Sequence, residues 1–466
     1  MKISIISVFP EFHQSINALS IIGKAVQQGL VSFDFIRFSD LCEPKERIDE
    51  PTCGPGAGMI LKPVVVQKAI ELAEQRWGQG FKVFFSPHGT VLTQPILRQY
   101  AAQFFAQSNQ PALSGYPVEA LAKTDVSKGM SVNHLILVCG RYEGIDERVE
   151  RHYADALISI GDYVLMGGDL PAQVFLEGLL RLLPGVIGNQ ESVEQESFES
   201  AFLDHPHYGL PAEWNGMKIP DVLRSGNHAA IDAWRKDAAA KRTVHNRFDW
   251  FVRAQPNPPS IALAKKFIPV HYVAVMHTQV IIKGGTVGQT SIPSIDIHDI
   301  ARACASYGIK NFFIVSPLLD QQKIVATFME FWLSADGAKY NENRHQAISS
   351  IRPVLSYQEM IDLIVREEGQ EPLIVCTSAR NVEHKQHIDY FSQKIVWSQE
   401  KPVLFLFGTG QGLSDELVQK SDFVLAPIEG LTDYNHLSVR SAVSIILDRW
   451  LGLSPRLGSS KKAPVS

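Results

Sequence analysis

Two glycine-containing loops carry the side chains best suited to chemistry. Gly140–Arg148 combines glycines with Arg, Tyr, Glu and Asp, and Ser159–Pro171 places three glycines within eight residues. Each loop follows an apolar segment that predicts a buried strand. Glycine lets the backbone approach a ligand, and loops at the carboxyl ends of parallel strands are where open α/β sheets bind ligands. The alternative is two ordinary tight turns, but the flanking charged side chains favour a binding site.

Composition sets the broad class. The 466 residues allow two or three domains, and the hydrophobic fraction of 45% is that of a globular protein. The formal net charge of −5 provides no overall attraction for nucleic acid, so RNA binding would have to rest on local basic patches. No apolar run is long enough to span a membrane, and the amino terminus resembles a first strand, not a signal peptide.

The five cysteines are scattered and form no CxxC pair. This pattern argues against a disulfide framework and against a zinc site, and it predicts a cytoplasmic protein in a reducing environment.

Strand and helix signals alternate in the first half of the chain. Strands are predicted at Lys2–Val8, Val31–Phe38 and Lys82–Ser86, and helices at Ile16–Gln28 and Pro63–Arg76. This alternation predicts an α/β fold with a mostly parallel sheet and helices on both faces. The stretch 90–133 is predicted to be a surface excursion, of the kind that forms lids or binding loops.

The middle of the chain changes composition twice. Residues 188–203 are polar and predict a flexible interdomain linker. Residues 204–254 are aromatic and basic and predict a small helical domain, followed by a linker at 255–262. Aromatic residues interleaved with Arg and Lys suit RNA, whereas a solvated basic helix face is the alternative.

A second α/β segment spans 263–453, and the tail 454–466 is predicted to be disordered. Within this segment an apolar strand runs into the glycine-rich loop Gly408–Leu413, and Asp422–Leu425 repeats the pattern of Asp162–Leu165. The repeated order of apolar strand, glycine turn and helix indicates an internal duplication.

Residues 1–253 closely resemble the bacterial tRNA guanine-N1 methyltransferase family, which belongs to the SPOUT class. The resemblance rests on segments that span nearly all of this region, the longest being Gly140–Arg148 and Ser159–Pro171. It implies a first domain at 1–187 with a trefoil knot, and a small tRNA-binding helical domain at 204–254. The implied reaction is methylation by S-adenosylmethionine of N1 of guanosine 37 in tRNA, next to the anticodon.

The resemblance also implies that three loops hold the cofactor. The corresponding positions are Phe85, Ser86 and Pro87 in the first loop, Gly140, Tyr142 and Glu143 in the second, and Ile160, Gly161, Asp162, Tyr163, Val164, Leu165, Gly167, Gly168 and Pro171 in the third. Apolar side chains on a glycine-bent loop can provide the walls that adenine needs.

Two further residues match the family's catalytic pair. Arg181 corresponds to the arginine that stabilises O6 of guanine, and Glu196 stands where the family most often has an aspartate base. Glutamate keeps the carboxylate and adds one methylene, so it can serve as the base that removes the N1 proton. A solvated linker glutamate is the alternative.

Glu143 is also the candidate ligand for a magnesium ion, because the family is magnesium-assisted and carboxylate oxygens suit that ion. A glutamate that caps a helix or pairs with an arginine is the alternative.

Residues 261–453 resemble a second SPOUT-type RNA methyltransferase-like module. The residues implied to bind a second cofactor molecule are Gly408, Gly410, Gly412, Pro427, Ile428, Leu437 and Ser438. The sequence therefore predicts two knotted SPOUT domains separated by a small helical domain, acting on tRNA as a homodimer. Two alternatives stay open: a non-catalytic RNA-binding protein, and a second half that serves only for dimerisation or RNA docking.

Overall fold

The computed structural model describes residues 1–54, 58–105, 133–187, 196–380, 382–383 and 386–454. It divides into two compact units, Met1–Glu199 and Ser200–Ser466. Of the predicted excursion at 90–133, the structure describes residues 90–105 and 133. Of the predicted tail at 454–466, it describes residue 454.

The first unit contains seven strands and six helices in its described part. The strands are β1 Lys2–Ser7, β2 Ser32–Arg37, β3 Asp49–Pro51, β4 Met59–Leu61, β5 Phe81–Val91, β6 His134–Val138 and β7 Ala156–Ser159. The helices are α1 Glu11–Ala18, α2 Ser20–Gln27, α3 Pro63–Trp77, α4 Gln94–Phe104, α5 Glu147–Tyr153 and α6 Asp169–Leu180.

Five of these strands form one parallel sheet in the order β2-β1-β6-β5-β7, which confirms the predicted α/β fold with a mostly parallel sheet. Strand β6 is buried along its whole length, as expected for a central strand covered on both faces. Separate apolar clusters lie on the two faces; one contains Phe175 of α6 and the other Val66 of α3.

Two local predictions were wrong. The single helix predicted at 16–28 is two helices, because Leu19 is extended and Ser20 has a φ of 54°. The strand predicted to end at Ser86 continues to Val91, because Thr90 and Val91 pair with Ile158 and Ser159 of β7. The register with β7 shifts between Phe85 and Thr90, so residues 86–89 bulge from the pairing.

The second unit contains the remaining described elements. Its strands are β8 Glu213–Trp214, β9 Met217–Lys218, β10 His271–Met276, β11 Thr278–Ile281, β12 Val287–Gln289, β13 Asn311–Val315, β14 Ile351–Val354, β15 Leu373–Thr377, β16 His387–Ile388, β17 Val403–Gly408 and β18 Phe423–Leu425. Its helices are α7 His228–Asn246, α8 Phe248–Arg253, α9 Pro258–Lys265, α10 Ser294–Ser306, α11 Leu319–Leu333, α12 Ala335–Tyr340, α13 Glu342–Ile348, α14 Tyr357–Glu368, α15 Gln393–Trp397, α16 Asp415–Lys420 and α17 Val439–Leu451.

Seven strands form a second parallel sheet in the order β14-β13-β10-β17-β15-β18-β16. Its central part, β10-β17-β15-β18, repeats the order β1-β6-β5-β7 of the first sheet. In both units the glycine-rich loop follows the central strand, which is consistent with the predicted duplication.

The helices predicted as a separate domain at 204–254 lie in the second unit. Val244 of α7 and Phe248 and Phe251 of α8 belong to the apolar cluster that also contains Phe405 and Trp397 of the second α/β segment. Phe248 packs edge-on against Trp397 at 4.7 Å between ring centroids. The helical segment therefore shares a core with the second sheet, and its independence as a domain stays a prediction.

Within the described ranges, no helix is both long and apolar enough to cross a membrane.

Candidate active site

The first unit brings its three predicted cofactor loops together at one edge of the sheet. Strands β6, β5 and β7 are neighbours and run parallel, so the loops that leave their carboxyl ends emerge side by side. The first loop is the excursion 86–89 within β5, the second follows β6, and the third follows β7. Gly89 fits this excursion tightly, because an added Cβ would lie 2.6 Å from the backbone of Leu157 and Ile158.

A cleft of about 420 Å³ lies where the first two loops meet. Five predicted cofactor residues line it: Phe85, Ser86, Pro87, Gly140 and Glu143. Its volume falls in the range of small-ligand sites. The sequence analysis did not single out the other lining residues, which are His88, Gly144, Ile145, Glu147 and Glu150. The position of α5 directly after the second loop is the sequence signal that points to Glu147 and Glu150 as lining residues.

The cleft is acidic. Glu143, Glu147 and Glu150 all line it, and burial raises the pKa of Glu150 even though the nearby His88 opposes this. The imidazole Nε2 of His88 lies 3.5 Å from Oε2 of Glu150, and its Nδ1 lies 2.7 Å from the hydroxyl of Ser86. Because a sulfonium is cationic, this lining suits S-adenosylmethionine electrostatically.

A hairpin holds the second loop in place. The amide of Glu143 donates to the carbonyl of Met59 at 2.9 Å, and the amide of Leu61 donates to the carbonyl of Gly144 at 3.2 Å. The Glu143 side chain lies against Gly58, where an added Cβ would sit 2.3 Å from Oε1. The strand pair β3–β4 therefore sets both the backbone and the carboxylate of Glu143.

The third loop packs against the second through its glycines. The amide of Gly168 donates to the carbonyl of Gly140 at 2.8 Å, and Arg141 forms an isolated antiparallel bridge with Gly167. Pro171 is buried in the first turn of α6. Glycine is required at 167, because an added Cβ would lie 2.8 Å from the carbonyl oxygen of Gly140.

The first part of the third loop is folded over itself. Gly161 has a φ of 146° and lies against the ring of Tyr163, whose hydroxyl donates to the carbonyl of Ile160 at 3.3 Å. Tyr163, Val164 and Leu165 are exposed, and Asp162 is exposed beside them. Asp162, Tyr163, Val164 and Leu165 are not among the residues that line the cleft. Their contacts with the cofactor therefore stay predictions. The same holds for Tyr142, which is exposed at a φ of 62°.

Arg181 and Glu196 meet directly. Arg181 follows the last residue of α6, and its Nη2 contacts both carboxylate oxygens of Glu196, with Oε1 at 2.5 Å. Both side chains are about one-third exposed, at 34% and 33%. Glu196 is therefore paired with the very arginine that the family resemblance implies, and it is not a freely solvated linker residue.

The segment after Glu196 is attached to α4. Glu199 accepts hydrogen bonds from Gln94 at 2.6 Å and from Arg98 at 3.0 Å, and Arg98 also forms an ion pair with it. No local sequence pattern points to Glu199, because its partners lie about a hundred positions away. Residues 188–195 of the predicted linker lie outside the described residues.

Two groups of side chains within the described residues have the spacing needed to hold a metal ion: His13, Cys139 and Asp169, and Asp204, His205 and His207. Glu143 belongs to neither group. Magnesium usually keeps several waters and needs only one or two carboxylates, so Glu143 with its acidic neighbours in the cleft fits that ion chemically.

In the second unit, a different hairpin holds the glycine-rich loop. The amide of Gln411 donates to the carbonyl of Ile281 at 2.7 Å, and the amide of Ile281 donates to the carbonyl of Gly412 at 2.8 Å. Gly410 and Gly412 have φ values of 64° and 108°, and an added Cβ at Gly408 would lie 2.4 Å from the amide of Leu413. All three predicted glycines are thus needed for the shape of this loop.

The other predicted residues of the second site follow β18 or begin α17. Pro427 and Ile428 are half-buried, Leu437 is exposed, and Ser438 caps α17 by accepting from the amide of Ser441. Arg440 binds Asp296 at 3.0 Å, which gives it a structural role.

Comparison with known proteins assigns both halves of the chain to families of RNA methyltransferases. Residues 1–105 and 115–253 match the family described as tRNA (Guanine-1)-methyltransferase TrmD. Residues 270–452 match a second family, described as SAM-dependent RNA methyltransferase.

The chain belongs to the tRNA (guanine-N1)-methyltransferase family. A tRNA (guanine-N(1)-)-methyltransferase of Oleidesulfovibrio alaskensis is 33% identical over 97% of this chain and 99% of its own length. The protein of the same name from Nitratidesulfovibrio vulgaris is 32% identical over the same shares. That of Oceanobacillus iheyensis is 38% identical but covers 53% of this chain and 91% of itself. Some relatives therefore share nearly the whole chain, whereas others match about half of it.

Proposed function

We propose that the first unit methylates N1 of guanosine 37 in tRNA, with Glu196 as the base and Arg181 as the stabiliser of O6. The observation that carries this proposal is the direct pairing of Arg181 and Glu196 in the unit that also forms the acidic cleft. Bound S-adenosylmethionine supplies an electrophilic methyl group on a cationic sulfur. The side chains of Phe85 and Pro87 and the backbone of Gly140 are in position to bind it.

The protein's own part in the reaction is proton removal and charge stabilisation. Guanine N1 carries a proton, which passes to the carboxylate of Glu196 as the nitrogen forms its bond to the methyl carbon. The carbon–sulfur bond breaks, and S-adenosylhomocysteine leaves as the neutral product. Negative charge gathers on O6 during proton removal, and the guanidinium of Arg181 is the donor that stabilises it.

The ion pair between Arg181 and Glu196 must rearrange when the guanine of the tRNA enters the site. While Arg181 donates to both oxygens of Glu196, the guanidinium and the carboxylate occupy each other. Once guanine O6 takes over part of the guanidinium, a carboxylate oxygen of Glu196 is released to accept the N1 proton. This coupling links activation of the base to binding of the correct nucleobase.

Helix α7 supports tRNA binding by the segment 204–254. Its basic side chains Arg235, Lys236, Lys241 and Arg242 are exposed, and Trp214 nearby in the sequence is 62% exposed. Cationic side chains neutralise phosphates and exposed aromatic rings stack on bases.

A homodimer is proposed from the exposed apolar side chains beside the third loop. Val164 and Met166 are 89% and 86% exposed, and Leu170 and Val174 of α6 are 45% and 49% exposed. Clustered exposed apolar residues mark interaction sites, and a second copy of the chain would cover them. The mass of the full chain in solution tests this proposal, and a monomeric mass at micromolar concentration would contradict it.

The trefoil knot, magnesium at Glu143 and action in the cytoplasm belong to the same proposal. The family match supports the knot, and the acidic cleft supports magnesium.

The test of the proposed function is methyl incorporation from labelled S-adenosylmethionine into tRNA transcripts that carry G or A at position 37. We expect transfer to the G transcript only. Transfer to both transcripts, or to neither, would overturn the assignment.

We propose that the second unit binds a second molecule of S-adenosylmethionine. Gly408→Ala should abolish this binding, because the added Cβ would collide with the backbone of Leu413 inside the loop. Equilibrium dialysis with labelled cofactor should then give one bound molecule per chain in place of two. Gly430→Ala is the matched control, because its Cβ meets nothing within 4 Å. A value of one for the unmodified chain would favour a second unit that serves only for docking.

A further inference from the structure

Asp169 is a buried carboxylate on which three other segments of the first unit converge. It is 2% exposed and is the first residue of α6. Its Oδ1 accepts from the hydroxyl of Ser7 at 2.5 Å and from Nε2 of His13 at 3.0 Å. Its Oδ2 accepts from Nε of Arg141 at 3.0 Å.

Each donor comes from a different element. Ser7 is the last residue of β1, His13 lies in α1, and Arg141 lies in the second cofactor loop between Gly140 and Glu143, which line the cleft. Ser7 also accepts from the amide of Phe9 at 2.9 Å, and the guanidinium of Arg141 lies 5.0 Å from the ring of Phe9. The carboxylate therefore connects the start of the first unit to the loop that shapes the cleft.

Asp169 also connects the cleft to the catalytic pair. It directly follows the glycines of the third loop, one of which hydrogen-bonds to Gly140. The helix that begins at Asp169 ends at Leu180, immediately before Arg181. A shift of Asp169 would therefore move the second and third cofactor loops and the amino-terminal end of α6, the helix after which Arg181 lies.

The three hydrogen bonds to Asp169 require a side chain that accepts hydrogen bonds and does not donate them. The hydroxyl of Ser7, Nε2–H of His13 and Nε–H of Arg141 all donate, and a carboxylate has enough lone pairs for all three. An asparagine has nearly the same shape, but its amide nitrogen would point hydrogens at one of these donors. Burial alone would raise the pKa of Asp169, yet the hydrogen bonds from His13 and Ser7 and the charge of Arg141 bring that pKa below its ordinary value.

We propose that Asp169 is a positioning residue for the cofactor: through Arg141 and the glycine contacts it holds the second and third loops in the conformation that binds S-adenosylmethionine. This inference rests on the proposed cofactor site of the first unit. Neighbouring Cys139 is excluded as a reactive group, because complete burial raises the pKa of its thiol well above the ordinary value.

The test uses the full chain and compares Asp169→Asn with the unmodified protein. The Michaelis constant for S-adenosylmethionine should rise at least about tenfold, the scale of a lost charge-assisted hydrogen bond. The Michaelis constant for tRNA should stay within about twofold, because Ser7, His13 and Arg141, to which Asp169 is hydrogen-bonded, all belong to the first unit. Asp169→Glu keeps an acceptor-only group and should recover most of the affinity.

A second readout does not depend on catalysis. Hydrogen exchange of the peptide 139–145 should slow as S-adenosylhomocysteine is added, with a half-saturating concentration at least about tenfold higher in Asp169→Asn. Because this measurement is local to the second loop, binding elsewhere in the chain does not contribute. If no methyl transfer is detected, the proposed function fails, but this titration still decides the role of Asp169.

Asp155→Asn is the matched control. Asp155 precedes β7 at the opposite end of the sheet and accepts from the amide of Lys82 at 2.8 Å. This variant should change neither the Michaelis constant nor the titration. If Asp169→Asn lowers thermal stability but leaves both quantities within about twofold of the unmodified protein, Asp169 has only a structural role and the proposal is wrong. If Asp169→Asn does not fold, Ser7→Ala removes one donor and should still weaken binding measurably.

Discussion

Glu196→Gln should lower the rate of methyl transfer to tRNA by about 10²- to 10⁴-fold, the usual contribution of a general base. The amide is nearly the same size as the carboxylate but cannot take the N1 proton. The substitution also removes the negative charge that Arg181 contacts in the structure. The measurement is single-turnover methyl incorporation at saturating cofactor, so that a change in binding does not enter the rate.

Two companion variants sharpen this result. Glu196→Asp keeps the carboxylate one methylene shorter and should retain most of the rate. Glu199→Gln removes a charge from the same segment but acts through Gln94 and Arg98, so its loss should be much smaller. If transfer survives in Glu196→Gln, the base lies elsewhere, with Glu143 and Asp204 as the next residues to substitute.

Gly167→Ala should abolish cofactor binding by the first unit. The added Cβ would lie 2.7 Å from Cδ of Arg141 and 2.8 Å from the carbonyl oxygen of Gly140. The arginine side chain could move, but the backbone of the second loop could do so only by opening the contact between the two loops. Overpacking of this kind typically costs about 1–3 kcal/mol, and here the strain falls on the residues that we propose to bind the ligand.

The measurement for Gly167→Ala is the same local hydrogen-exchange titration, together with thermal unfolding. Protection of peptide 139–145 by S-adenosylhomocysteine should disappear. Gly209→Ala is the control, since an added Cβ there meets nothing within 4 Å. Unchanged protection in Gly167→Ala would mean that the two loops do not need their observed contact to bind the ligand.

Much of the fold follows from local sequence patterns. The runs Leu135–Val138 of β6 and Val403–Phe407 of β17 are apolar throughout and buried, as expected of strands that are covered on both faces. The break between α1 and α2 was missed, because the apolar periodicity continues through Leu19 and gives no sign of the positive φ at Ser20. The return of β5 at Thr90 was missed for a related reason: pairing with β7 is a long-range contact that local pattern does not encode.

The sequence by itself was sufficient to identify the family and to predict the cofactor loops and the two catalytic candidates, because these depend on the types and spacing of residues along the chain. Only the tertiary structure decided which of these groups touch. It paired Glu196 with Arg181 and placed Glu143 against Gly58. It also joined Ser7, His13 and Arg141 on Asp169, residues separated by up to 162 positions. Hydrogen bonds and close packing depend on distances of a few ångströms in space, and the order of residues along the chain does not specify those distances until the sheet has formed.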